Sequence, residues 1–186
     1  ILLVAAPSVL RHATVRPDTS KNPIPETPTT GTQNGRRERP GLRPLLPAEA
    51  INRFSQLLTQ LPAETTIAAS EYGFIGSQHP SVHIVDLVGL HDRTIARQGF
   101  SATVVLAKNP DVIWFPHHDY TRIVSDLTSH QQFSSGYEFF PSLYRFGLAI
   151  RRGSPRYQTI REALEREFAS LYPGHTLDEF QATTVK

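Results

Sequence analysis

The 186-residue sequence has no cysteine, no methionine and a single tryptophan. Without cysteine there is no disulfide framework, no thiol nucleophile and no Cys-ligated zinc or iron–sulfur site. The absence is compatible with an exported bacterial domain. With no methionine and Ile1 in first place, the chain is expected to be a fragment whose native start is missing. Catalytic signatures are scarce too: there is no Gly-x-Ser-x-Gly nucleophile elbow and no P-loop. The glycines at 73 and 76 lack the spacing of a dinucleotide fingerprint, and no cofactor is expected. No internal repeat is found.

Charge of one sign is also in short supply, with a formal net charge of +2. Its distribution is uneven. Of 19 basic and 17 acidic residues, residues 1–46 hold seven and three, which leaves 12 and 14 for the remainder. A nucleic-acid-binding domain would carry its basic excess on the folded part, so nucleic acid is not an expected partner. The first ten residues, ILLVAAPSVL, are apolar and uncharged. They fall short of the roughly 20 needed to span a bilayer. The expected reading is the last turns of a transmembrane helix, against a strand or short helix packed on the domain. Arg11, His12 and Arg16 would then be interfacial anchors. Residues 11–47 contain seven prolines among Thr, Ser, Asn and Gly, and read as a disordered linker. Its RRER cluster, Arg36 to Arg39, is either solvated or held against anionic headgroups.

An α/β domain is expected over 48–186. AEAINRFSQLLTQLP puts Ile51, Phe54, Leu57, Leu58 and Leu61 on one helical face between Pro47 and Pro62. Strands are expected at 65–70, 82–87, 111–115 and 144–152. Between the first two, EYGFIG reads as a turn. Short helices are expected around 91–99 and 100–109, and longer ones over 119–131 and 157–172. The last carries Ile160, Leu164, Phe168 and Leu171 on one face and stops at Pro173–Gly174. Short apolar strands alternating with helices predict a small, mostly parallel sheet flanked by helices.

In such folds ligands gather at the carboxyl ends of the strands. Two polar clusters fall there: Asp86, Gly89, His91 and Asp92 after the second strand, and His117, His118 and Asp119 after the third. Brought together, they would offer His and carboxylate groups for zinc or for acid–base chemistry. Their spacings match no metal signature, and no metal site is assigned. Each cluster also has a structural reading: Asp92 and Asp119 as helix N-caps, Asp86 as an acceptor for turn amides. The aromatic set Tyr137, Phe139, Phe140, Tyr144 and Phe146, with Trp114, reads either as a sugar-stacking platform or as core around a β-hairpin.

The segment TIAASEYGFIGSQHPSVHIVDLVGLHDRTIAR resembles the C-terminal soluble domains of bacterial polytopic GT-C glycosyltransferases, the protein-mannosyltransferase-like and arabinofuranosyltransferase-like families. The likeness runs over about residues 65–116, with weaker agreement to about 152. It centres on a strand ending in Asp86, then Gly89, Leu90, Asp92, Ile95 and Ala96, with Pro110–Asp111 leading a later strand. The resemblance implies a parent enzyme of the bacterial inner membrane that moves sugar from a polyprenyl-phosphate carrier to an acceptor. It also implies that this domain sits on the periplasmic face, with the transmembrane portion of the same protein as partner and a glycan acceptor as a candidate second one. In those families the catalytic carboxylate lies in an early loop between membrane spans, so no catalytic residue is assigned here. The alternatives are a free-standing metal-dependent hydrolase using the His/Asp clusters, and a non-catalytic module binding glycan or a partner.

Overall fold

The structure, a computed structural model, describes residues 45–181, apart from the side chains of Tyr72 and His118. The expected helix end at 1–10 and the linker up to 44 lie outside the described residues.

Helix α1 (Pro47–Leu58) starts where the linker was expected to end. Pro47 suits the first helical position, where a missing N–H costs nothing. The Glu49 carboxylate accepts the Leu46 amide at 3.3 Å, satisfying a donor the helix leaves open. Ala50, Phe54, Leu57 and Leu58 form its buried stripe. After it come β1 (Thr66–Ala69), α2 (Tyr72–Gln78), β2 (His83–Asp86), α3 (Arg93–Gln98), α4 (Ala102–Ala107) and β3 (Val112–Trp114). A 3-10 turn at His118–Tyr120 leads into α5 (Thr121–Ser129), α6 (Gln131–Gly136), β4 (Tyr137–Phe140), β5 (Leu148–Arg151) and α7 (Tyr157–Leu171). A last 3-10 turn spans Leu177–Phe180.

The five strands form one sheet in the order β2-β1-β3-β5-β4. The α/β class expected from the alternation of elements is what the chain adopts. β1 pairs in parallel with β2 and β3, while β5 pairs antiparallel with β3 and β4. The sheet is therefore mixed, with β5 alone running against the other four strands.

Residue alternation along the strands builds two core layers. Ile67, Ala69, Val112, Trp114, Leu148 and Ile150 face α1 and α7, joined by Ile75 of α2. Ala68, Ile113, Phe115 and Ala149 face the other way, against Ile95, Val105, Leu106, Ile123, Leu127 and Phe133 of α3 to α6. The β1–β2 crossover thus runs over one face and the β2–β3 crossover over the other. In such a doubly wound arrangement the winding switches between the ends of β1 and β3.

Three local expectations need correction. EYGFIG is not a turn but the body of α2, whose Ile75 is fully buried. The expected helix at 119–131 is interrupted at His130, which takes an extended ψ of 130° and caps α6 by accepting the Gln132 amide. The expected strand at 144–152 begins only at Leu148, because Tyr144 and Arg145 hold left-handed φ values of 48° and 71°. Those two residues fold 141–147 into a tight return between β4 and β5.

Candidate functional site

The carboxyl edge of the parallel strands carries both polar clusters: Asp86 ends β2 and is followed by Gly89, His91 and Asp92, while His117, His118 and Asp119 follow β3, whose last residue is Trp114. The loop after β2 is organised by Asp86, which is buried at the strand end. Its Oδ1 accepts the amides of Val88 at 2.9 Å and Gly89 at 3.1 Å, and its Oδ2 accepts that of His91 at 2.6 Å. Gly89 has φ +84°, and a Cβ there would lie 2.8 Å from the Ala96 nitrogen and 3.0 Å from the Ile95 carbonyl carbon. The loop can close on α3 only because that position has no side chain. Asp92 then caps α3, accepting the amides of Thr94 at 2.8 Å and Ile95 at 3.1 Å. Its other oxygen is paired with Lys108 at the end of α4. This hydrogen bond, with the Ile95 amide next, holds the Asp92 carboxyl below the usual carboxylate range. Asp86 and Asp92 therefore build the loop. The loop leaves Leu90 exposed and keeps His91 at the surface.

After β3, the ring Nδ1 of His117 faces the backbone N–H of Asp119 at 3.3 Å and its Oδ2 at 3.0 Å. Asp119 was expected to cap the following helix, but Tyr120 stands at the N-cap of α5 with no side-chain cap hydrogen bond, and it is His117 that caps the 3-10 turn by accepting the Asp119 amide. The His117 ring packs edge-on against Phe146, with centroids 5.2 Å apart. The His118 side chain lies outside the described residues. Adjacent strand ends could have brought the two clusters together, but β1 runs between β2 and β3. Among the described residues no group of three or more His, Asp or Glu side chains could hold a metal ion.

Trp114 is core, not a sugar platform. It stacks on Phe54 of α1 at 4.5 Å and donates from Nε1 to the Tyr144 carbonyl at 3.3 Å. Tyr137, Phe140 and Tyr144 are likewise buried, and Phe139 packs between Phe115 and Phe133. Burial raises the Tyr144 phenol, with the Glu167 charge adding to it.

Other polar groupings lie outside these clusters, among them buried Glu138 of β4, which accepts from Tyr157 and Arg161 of α7. Ser55 of α1 and His79 at the end of α2 form a pair with Oγ and Nε2 2.7 Å apart, and the hydroxyl also lies 3.0 Å from Gln78 Oε1. A serine–imidazole contact of this length occurs in nucleophilic sites. Here Ser55 is buried against α2, and the pair ties two helices together. Reading α2 as a turn concealed it. At the opposite edge of the sheet, buried Asp111 accepts the Thr66 amide at 3.0 Å, Arg151 at 2.8 Å and the Ser154 hydroxyl at 2.6 Å. That cluster joins β1, β3 and β5 at their lower ends.

Residues 42–165 match the family model described as a domain of unknown function (DUF8728). The chain belongs to this family. The DUF8728 match takes in α1, all five strands and both carboxyl-edge loops, and ends inside α7. No curated protein and no solved structure matches the chain. Among the described residues of this DUF8728 domain, no helix is long and apolar enough to cross a membrane.

Proposed function

We propose that the described domain is the accessory, non-catalytic soluble domain of a membrane-embedded glycosyltransferase that uses polyprenyl-phosphate-linked sugar. In this reading the domain sits on the periplasmic face, and its parent's transmembrane portion carries the chemistry. The observation that supports it is the use made of the Asp86–Asp92 loop, where the sequence resemblance is concentrated. Asp86 is engaged by three backbone amides, Gly89 by close packing on α3, and Asp92 by a helix cap and Lys108. A motif of this kind marks an architecture and need not mark a reaction. The same observation weakens the hydrolase alternative, whose carboxylates would have to leave these partners to bind metal or substrate.

The test is the coding sequence upstream of Ile1, followed by transfer assays on the full-length protein. Multiple membrane spans are expected there, with an acidic residue in an early loop whose substitution abolishes sugar transfer. Substitutions at Asp86 should instead lower the yield of folded protein and leave turnover per folded molecule close to normal. An initiation codon just before Ile1, with no spans upstream, overturns the reading.

A further inference from the structure

Among the described residues four large hydrophobic side chains are exposed: Leu46 at 61%, Phe74 at 39%, Leu90 at 78% and Tyr120 at 44%. Their positions in the fold are not scattered. Phe74 lies in the first turn of α2, which leaves the carboxyl end of β1. Leu90 is in the loop after β2, and Tyr120 ends the 3-10 turn after β3. Leu46 precedes α1, and its neighbour Leu45 accepts a hydrogen bond from Arg145 Nη1 at 2.7 Å. Arg145 belongs to the return that feeds β5, where the Gly147 carbonyl accepts the Phe115 amide just past β3. All four therefore occupy the same edge of the sheet, while the lower edge is closed by the Asp111 cluster. Single exposed apolar residues are ordinary on a soluble surface, but their collection on one edge is not.

We infer that this edge is a membrane-docking face, seated on the bilayer interface through Leu46, Phe74, Leu90 and Tyr120. Two features choose a lipid surface as the occupant. The 44 residues ahead of the described domain join it at Leu45, on this edge, and they begin with the apolar run ILLVAAPSVL. A chain anchored through that run leaves the membrane and enters the domain on the side that carries the four side chains. The second feature is the chemistry of the rim. Arg93 is exposed at the start of α3, three residues after Leu90. Arg122, which pairs with Asp126 at 3.7 Å, is exposed at the start of α5, two after Tyr120, with exposed Asp119 on that residue's other side. Short apolar tips with a tyrosine and flanking arginines suit the headgroup–acyl boundary, where ring, guanidinium and aliphatic stem each find their solvent. Tethering raises the local concentration of the face at the bilayer, so each side chain need contribute little. The Asp86 and Gly89 hydrogen bonds and packing acquire a purpose here, since they hold Leu90 out on a fixed loop.

The inference rests on the membrane-anchored reading above, yet it can fail separately. The full 186-residue chain would carry Leu90→Trp in one variant and Gln60→Trp, at the opposite edge after α1, in another. Trp114 is buried and gives both the same background. With vesicles of phosphatidylglycerol and phosphatidylethanolamine, Leu90→Trp emission should shift to the blue and resist acrylamide quenching, while Gln60→Trp stays unchanged. Replacing Leu46, Phe74, Leu90 and Tyr120 together by serine should lower vesicle partitioning by about tenfold or more. Circular dichroism would establish that this variant is folded. Equal responses from the two tryptophans overturn the inference, as does undiminished partitioning of the folded serine variant. Binding of the edge to the detergent-solubilised membrane part of the parent, without any vesicle response, also overturns it and gives the edge to a protein partner. A vesicle response from a protein whose gene encodes no upstream spans would keep the docking face and remove the glycosyltransferase reading.

Discussion

Asp86 and Gly89 carry the β2–α3 loop by different means, and substitutions separate them. Asp86→Ala leaves the amides of Val88, Gly89 and His91 without their acceptor. Burial of unpaired donors should cost about 3 kcal/mol in a urea titration. Asp86→Asn keeps one acceptor oxygen and should lose about 1–2 kcal/mol. Gly89→Ala meets both the clash with α3 and a φ of +84°, for a loss of about 2–3 kcal/mol. Gly73, with nothing within 4 Å of a Cβ, is the control; alanine there should be neutral or stabilising by up to about 1 kcal/mol. Equal effects at the two glycines would mean that the close approach at Ala96 does not constrain the loop. At this scale the structural readings of Asp86 and Asp92 were legible, because a turn-binding carboxylate and an N-cap need only local sequence. Trp114 was not decidable, since an aromatic residue at a strand end has the same sequence signature whether it meets a sugar or Phe54. A helix cap in this stretch was expected from a carboxylate, but the imidazole nitrogen of His117, two residues before Asp119, accepts the amide of the 3-10 turn.

The elements that periodicity marked clearly, α1 and α7, are where it placed them, because each buries a continuous stripe against the sheet. Helix α2 was missed for a physical reason. It contains Gly73 and Gly76, which disfavour an isolated helix, and it is held by tertiary contacts of Ile75 and His79. Strand β4 was visible only as an aromatic-rich stretch, since its antiparallel partner lies across the left-handed return at 144–147. The α1–α2 junction also makes stability depend on pH. Burial lowers the His79 pKa below the ordinary imidazole value. Between the two values the unfolded chain binds more protons than the folded one, so stability rises with pH. The contribution is fully present above about pH 7 and is lost as pH falls through about 6.5 towards the folded value. His79→Gln, which can still bond Ser55, should flatten that part of the profile. Urea midpoints of both proteins at pH 7.5 and pH 5.5 would show it, and identical pH dependence would remove His79 as the source.

For the whole domain, what decides the behaviour is that two core layers share one thin sheet. Ala68, Ile113 and Ala149 face one layer while their strand neighbours face the other. Neither layer can melt without exposing the back of the other, so the described domain should unfold in a single transition. The alternation of helix and strand made the α/β class readable. The reversed direction of β5 was not readable, because it depends on a seven-residue return whose backbone angles local propensity does not specify. The same reasoning locates the start of the cooperative unit. Leu45 is buried in the α1–α7 layer, and its carbonyl holds Arg145. A chain beginning at Leu42, where the family match begins, should unfold with the same urea midpoint as the full sequence. A chain beginning at Ala48 forfeits the burial of Leu45, worth about 1.5–3 kcal/mol, its hydrogen bond from Arg145 of about 1 kcal/mol, and the Leu46 hydrogen bonds with Glu49 and Ala50, which water replaces at the start of α1. It should therefore be less stable by about 3 kcal/mol and keep a single transition. A lower midpoint in the chain starting at Leu42 would place part of the folding unit upstream of the family boundary. An unchanged midpoint in the chain starting at Ala48 would mean that the Leu45–Arg145 contact does not hold the docking edge to the rest of the domain.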